Sequence, residues 1–233
     1  MTKILVIGGL HGNEPLGVAL VASLLRSPIS GVDAVYGNPD AIKKSVRFVE
    51  ADLNRVFPGN SNGNLEGRRA VELMERVKGY DVVLDFHNTN ASNNDCGFVG
   101  DDQYETLLST AAILGLTNVV VADYDCINKY VPTCISIETS LSSPHNSIEY
   151  WREKIELLAA DTQTTAPTPK LYRFARRVTS EEQKKYDFTW KVFETISEAD
   201  QKTLSLPHNT YYPIFVDDTY TPYNYAGLVV KID

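Results

Sequence analysis

The chain has 233 residues, 43% of them hydrophobic, and carries 22 Lys and Arg against 30 Asp and Glu, for a formal net charge of −8. That length supports one substantial core, or one domain with a smaller appendage, and the acidic balance argues against nucleic acid or an anionic membrane surface as main partner, because both demand basic patches. No apolar run approaches the ~20 residues of a membrane span, no leader pattern opens the chain, and Cys96, Cys126 and Cys134 lack CxxC spacing, which fits a reduced, cytoplasmic setting.

In chain order, Ile4–Ile7 reads as a buried strand and Pro15–Leu25 as a helix opening at proline. Ala34–Gly37 suits a short strand. The stretch 65–77 spaces Leu65, Ala70, Leu73, Met74 and Val77 as a helix does. Residues 81–87 (DVVLDFH) form a strand, 104–114 a helix, and 118–124 and 134–139 two further strands. Residues 147–160 form a helix with Asn146 as its cap and Glu149 three residues on. Alternating strands and helices imply a mostly parallel sheet covered on both faces. The pattern changes near Ala160, where a Thr/Pro-rich linker begins. Beyond it, LYRFARRVT and YYPIFVDD alternate as strands do, with few helix signals. The expected division is therefore a catalytic α/β domain over 1–160 and a small β-rich domain over 161–233.

On this map, His11 and Glu14 follow the first strand, His87 ends the strand 81–87, and Glu138 ends the strand 134–139. In an open α/β sheet, ligands bind beyond the carboxyl ends of the strands, so these residues should meet at one edge. Two histidines and a carboxylate make a common catalytic zinc set, with the remaining position left to water. A further carboxylate held off the metal, such as Glu138, can take a proton from that water and pass it to a leaving amine. The plain alternative is that HxxE recurs by chance and that His87 merely meets a carbonyl. Arg47, Asn54 and Arg55 offer planar forks and amides suited to a carboxylate or an oxyanion; otherwise the arginines are solvated partners of Glu50 and Asp52. Asp85 shares a strand face with His87 and either orients it or meets a backbone amide. His145 and His208 read as surface residues, and no phosphate-binding glycine loop is present.

Together, GGLHGNE (8–14), NPDAIKKSVRFVEADLNRVFPG (38–59), EGRRA (66–70), DFHNT (85–89) and SIET (136–139) resemble the aspartoacylase and succinylglutamate desuccinylase family, a branch of the zinc carboxypeptidase superfamily. The resemblance spans roughly residues 3–139. It implies a three-layer α/β/α fold with a mostly parallel mixed sheet and a small β-rich C-terminal domain, shorter than is usual in the family. It implies one zinc per chain on His11, Glu14 and His87, with Glu138 as general base and acid. Arg47 would polarise the scissile carbonyl, Asn54 and Arg55 would hold the substrate's α-carboxylate, and Tyr220 would be the C-terminal active-site tyrosine, with Tyr223 and Tyr225 as alternatives. The expected reaction is hydrolysis of an N-acyl amino acid with a free carboxylate. A metallocarboxypeptidase or a non-catalytic metal-binding protein is the alternative, and homo-oligomerisation is left open. Two stretches depart from the pattern. NASNNDCGFVG follows HNT where the family has a shorter SNMG-like stretch. Segment 124–134, where aspartoacylase places a further arginine, offers only Lys129, which predicts a preferred side chain other than that of aspartate.

Overall fold

The computed structural model describes residues 2–102, 104–122, 124–162, 165–218 and 224–232, without the side chains of Asn224 and Tyr225. Its first strand, β1 (Ile4–Gly8), is buried at every position: Ile4 and Val6 enter one apolar cluster, Leu5 and Ile7 another. Burial on both sides is what a central strand under two helical layers requires. The chain continues through α1 (Pro15–Arg26), β2 (Val32–Tyr36), α2 (Pro39–Lys44), α3 (Leu65–Arg76), β3 (Val82–Thr89), β4 (Cys96–Val99), α4 (Leu108–Ile113), β5 (Asn118–Val121), α5 (Ile127–Tyr130), β6 (Cys134–Ser140) and α6 (Ile148–Ala159). The C-terminal part adds β7 (Lys170–Thr179), α7 (Ser180–Tyr186), α8 (Glu198–Thr203), β8 (Tyr211–Ile214) and β9 (Asn224–Ile232).

Among the described residues the strands form one nine-stranded sheet in the order β2-β1-β3-β6-β4-β5-β7-β9-β8. β2, β1, β3 and β6 run parallel, while β4 lies antiparallel to β6. On one face, Leu84, Phe86, Ile135 and Ile137 pack with Leu20 and Val21 of α1 and with Trp151 and Ile155 of α6. On the other, Val83 and Cys134 pack with Ala70 and Leu73 of α3. The fold is thus the three-layer α/β/α arrangement, and side chains that alternate with Phe86 and Ile137, namely His87 and Glu138, emerge on the α3 side.

The C-terminal segment extends this same sheet: β7 pairs parallel with β5, and β9 joins it antiparallel. It also has a small core of its own, with Val178, Phe188, Ile196, Leu204, Tyr211 and Leu228 in contact. Two short helices occur where strand-like alternation with few helix signals was expected. The Thr179–Glu182 capping box that opens α7 was a readable signal for the first. The cap of α6 is also corrected. Ser147, not Asn146, accepts from the Tyr150 N–H, and Asn146 instead bonds Asn88 and the Leu141 carbonyl. The expected helix over 104–114 begins as a 3₁₀ turn, Tyr104–Leu107, and the altered stretch after HNT supplies β4.

Candidate metal and active site

After β1 the chain turns through Gly9 and Gly12 before α1 starts at Pro15. A Cβ on Gly12 would stand 2.1 Å from the carbonyl carbon of Ala41, and one on Gly8 would stand 2.0 Å from the carbonyl oxygen of Gly17. Only glycine lets α1 and α2 close this far onto the turn, and it leaves His11 and Glu14 just 3% and 2% exposed. Glu14 occupies the N-cap position of α1 without capping it. The Leu16 N–H donates instead to Asn88 Oδ1 on β3, at 2.8 Å, which leaves the Glu14 carboxylate to the site.

His11 Nδ1 lies 2.7 Å from Glu14 Oε1, and His87 Nδ1 2.9 Å from Glu14 Oε2. The ligand atoms of these three buried residues lie within 4.8 Å of one another, so the group could hold a metal ion. The far nitrogen of each ring is anchored by a carboxylate: His11 Nε2 by Asp52 at 3.0 Å and His87 Nε2 by Asp85 at 2.7 Å. Such partners fix ring orientation and aim the free nitrogen inward. Asp85 therefore orients His87, and it also accepts from Ser136 Oγ at 3.0 Å.

Burial alone would lower both histidines. For His11 the charge on Glu14 and the bonds to Asp52 and Glu14 together outweigh it; for His87 the charges on Asp85 and Glu14 and the bonds to both do so by a wider margin, and both pKa values rise. Burial would likewise raise Glu14, but the two histidines hold it far below the ordinary carboxylate range. A cation at the centre would take over the role of those protons, so the donor set fits a metal.

In the β3–β6 register His87 stands directly beside Glu138. Glu138 is half-buried in a cleft of about 210 Å³, which His11, Glu14, Arg47, Asn54 and Arg55 also line. Burial pushes its carboxyl up to about 7, with Glu14 and Asp218 adding to the shift and His87 opposing it. A carboxyl so placed exchanges a proton near neutral pH. Arg47 donates to Asp52 from Nε and Nη2 at 3.3 and 3.2 Å, and its Nη1 lies 3.5 Å from Glu14 Oε1. The pairing of Arg47 with Asp52 is thus real, but it sits at the cleft and not in solvent. Glu50 accepts from the Leu65 N–H instead, at 2.5 Å.

Asn54 and Arg55 lie on a 3₁₀ turn, Leu53–Arg55, capped by Asp52. The loop that carries them is tied down by the fully buried carboxylate of Glu66 on α3. It accepts from the backbone N–H groups of Val49, Glu50 and Ala51 at 2.7, 3.2 and 3.1 Å, and from Asn38 Nδ2 at 3.2 Å.

Tyr220 and Tyr223 lie outside the described residues, as does the side chain of Tyr225. His145 bonds Asp95 at 3.0 Å and stacks on Tyr150, and His208 is exposed; neither lines the cleft. Sequence reading passed over the roles of Asp52 and Asn88, and over Tyr124, Phe174 and Arg177 on the cleft wall. Asp52 was visible between two motif residues. The wall residues come from distant segments and carry no motif.

His11, Glu14, Arg47, Asp52, Asn54, Arg55 and His87 lie within a stretch that relatives share. A family model for the succinylglutamate desuccinylase/aspartoacylase catalytic domain matches residues 1–133. Aspartoacylase of Mus musculus is 35% identical over 125 residues, 46% of this chain and 40% of the relative. An N-acyl-aromatic-L-amino acid amidohydrolase of Xenopus tropicalis is 29% identical over 109 residues, 40% of this chain and 35% of the relative. The matched stretch thus spans about two fifths of the length of these curated relatives. In fold, murine aminoacylase 3 superposes with a TM-score of 0.69 at 19% identity, covering 99% of this chain and 95% of the other. A succinylglutamate desuccinylase from Chromobacterium violaceum gives 0.71 at 16%, covering 99% and 84%. With the family model taking in β1 through α5 and three of the residues at the strand ends, the chain belongs to the succinylglutamate desuccinylase/aspartoacylase family.

Proposed function

We propose that the protein is a zinc-dependent amidohydrolase that cleaves the amide bond of a small N-acyl amino acid carrying a free carboxylate. The observation that carries this reading is the meeting of His11, Glu14 and His87 beside Glu138 in one cleft that also holds Arg47 and Arg55. Zinc held by the three ligands would acidify a water and polarise the amide carbonyl. Glu138, raised to about 7, takes the proton from the attacking water and delivers it to the departing nitrogen. Arg47 donates to the carbonyl oxygen as negative charge develops there. Asn54 and Arg55 hold the α-carboxylate, the guanidinium as a two-pronged donor. Residues 161–233 serve as the substrate-facing appendage, with Tyr220 as its active-site tyrosine. Three buried, unpaired thiols suit a reducing cytoplasm.

A metallocarboxypeptidase would use the same residues on a peptide. The cleft of about 210 Å³, walled among the described residues by Phe174 and Phe215, favours a small substrate over a chain. The test is hydrolysis by zinc-loaded protein of N-acetyl, N-formyl and N-succinyl amino acids, set beside dipeptides. Turnover of N-acyl amino acids is expected. Turnover of dipeptides alone transfers the protein to the peptidases, and turnover of neither, with zinc demonstrably bound, refutes the reading.

A further inference from the structure

Behind His87 the sheet holds a polar cluster that does not line the cleft. Asp85 on β3 and Ser136 on β6 are direct neighbours across the pairing. Each lies two residues before a site residue, His87 or Glu138, and so shares its face. Asn128 on α5 closes the cluster. Asp85, Ser136 and Asn128 are 0%, 4% and 3% exposed. Buried polar groups of this kind need partners, and here the hydrogens can be counted.

The Asn128 amide is fixed first. Its Nδ2 donates to the carbonyls of Phe98 at 3.0 Å and Cys134 at 3.1 Å, which commits both of its hydrogens. Oδ1 is thereby turned toward Ser136 Oγ, 2.9 Å away. The same hydroxyl stands 3.0 Å from Asp85 Oδ2. A hydroxyl carries one hydrogen, and two acceptors compete for this one. The carboxylate wins, because a hydrogen bond to an ionised group is roughly twice as strong as one between neutral groups. Asn128 Oδ1 keeps a second donor, the Cys126 thiol at 3.6 Å. Asp85 has no such reserve. Its Oδ2 takes the bond from His87 Nε2 at 2.7 Å, and its buried Oδ1 meets no donor among the described residues.

The state of Asp85 matters at the next step. Nδ1 of His87 can offer its lone pair inward only while the ring proton stays on Nε2, and the bond that Nε2 makes decides where that proton sits. An ionised Asp85 held in place keeps it there. With Ser136 removed, Asp85 would be buried with a single hydrogen bond for its whole charge, a costly arrangement.

We propose that Ser136 is a positioning residue for the metal site: its one hydrogen completes the hold of Asp85 on His87 Nε2 and so fixes the ring that presents Nδ1 to the metal. This rests on the zinc site of the reading above, and not on its substrate.

The experiment sets two hydroxyl deletions on the same strand side by side. Ser136→Ala removes one atom from the cluster. Thr139→Val removes an equally buried hydroxyl three residues on, on the opposite face, whose Oγ1 has no hydrogen-bond partner. Zinc affinity of the full chain is read by competition with a chelator. Ser136→Ala should weaken it about tenfold, at the low end of what the outer partners of ligating histidines contribute, while Thr139→Val should hold it within about twofold. Nitrogen NMR of the His87 ring in zinc-free protein reads the bond without the metal: the Nε2 resonance should move in Ser136→Ala and stay in Thr139→Val. Equal losses of zinc affinity in the two variants would assign the effect to general loosening of β6 and overturn the proposal. So would wild-type affinity together with an unmoved Nε2 resonance in Ser136→Ala. If wild type binds no zinc, the metal reading itself fails; the His87 resonance then still decides, a shift supporting the hold of Ser136 on Asp85 and no shift overturning it.

Discussion

On the β1–β3–β6 side of the cleft the ligand set and the carboxylates behind it are buried and answered by one another, whereas the β7–β9 side presents an exposed arginine and aromatic rings over a small core of its own. His11, Glu14, Asp85 and His87 are each less than 4% exposed and linked in one chain of contacts that Asp52 and Arg47 extend. Removing one member strands a buried partner, at roughly 3–5 kcal/mol. Exposed positions such as Arg177 can change with effects near ±0.5 kcal/mol on stability. One side is thus over-determined and suited to fixed chemistry, while the other is free to vary and suited to selectivity.

The comparison breaks first at the metal ligands. His87→Ala should abolish stoichiometric zinc binding, read by elemental analysis, and with it all turnover; full zinc retention would remove His87 from the ligand set. Next, Glu138→Gln should keep zinc and lose about 10²–10⁴-fold in kcat, the usual contribution of a general acid–base. Near-normal turnover in that variant would end the assignment.

On the other side of the cleft, Leu228 is fully buried in the small C-terminal core. Leu228→Ala should cost about 2–5 kcal/mol of stability, seen as a lower unfolding midpoint, and raise KM while zinc affinity holds. A parallel fall in zinc affinity would show the two sides to be coupled.

The smallest effect concerns Glu66, whose carboxylate is held below its ordinary range by the backbone N–H groups of Val49, Ala51 and Glu50 and by Asn38, against the opposing pull of burial. With its folded pKa depressed, its contribution is fully present above the unfolded value near 4.5 and is lost as pH falls through the folded one. Glu66→Gln should cost about 1–3 kcal/mol near neutral pH and flatten the acid limb of the stability curve. An unchanged acid limb would show that the carboxylate does not hold the loop that bears Arg47 and Arg55.

The strand-end placement of His11, Glu14, His87 and Glu138 was legible in the sequence alone, because both causes are local. Apolar runs of four to seven residues mark buried strands, and a polar residue closing such a run must emerge at the sheet edge. Asp85 was legible as far as its face, since alternation is local too, but not as far as its partner. What the tertiary structure decided depends on pairing between distant segments. Asn88 supplies the contact that α1 lacks at its own N-cap, and Asp52 reaches His11 across 41 residues. β4 inserts between β6 and β5, antiparallel to the first and parallel to the second. Arg177 faces the cleft because Ala175 finds no partner on β9. A one-residue slip reverses every later side chain on a strand, and nothing in LYRFARRVT states where the slip occurs; the partner strand sets it.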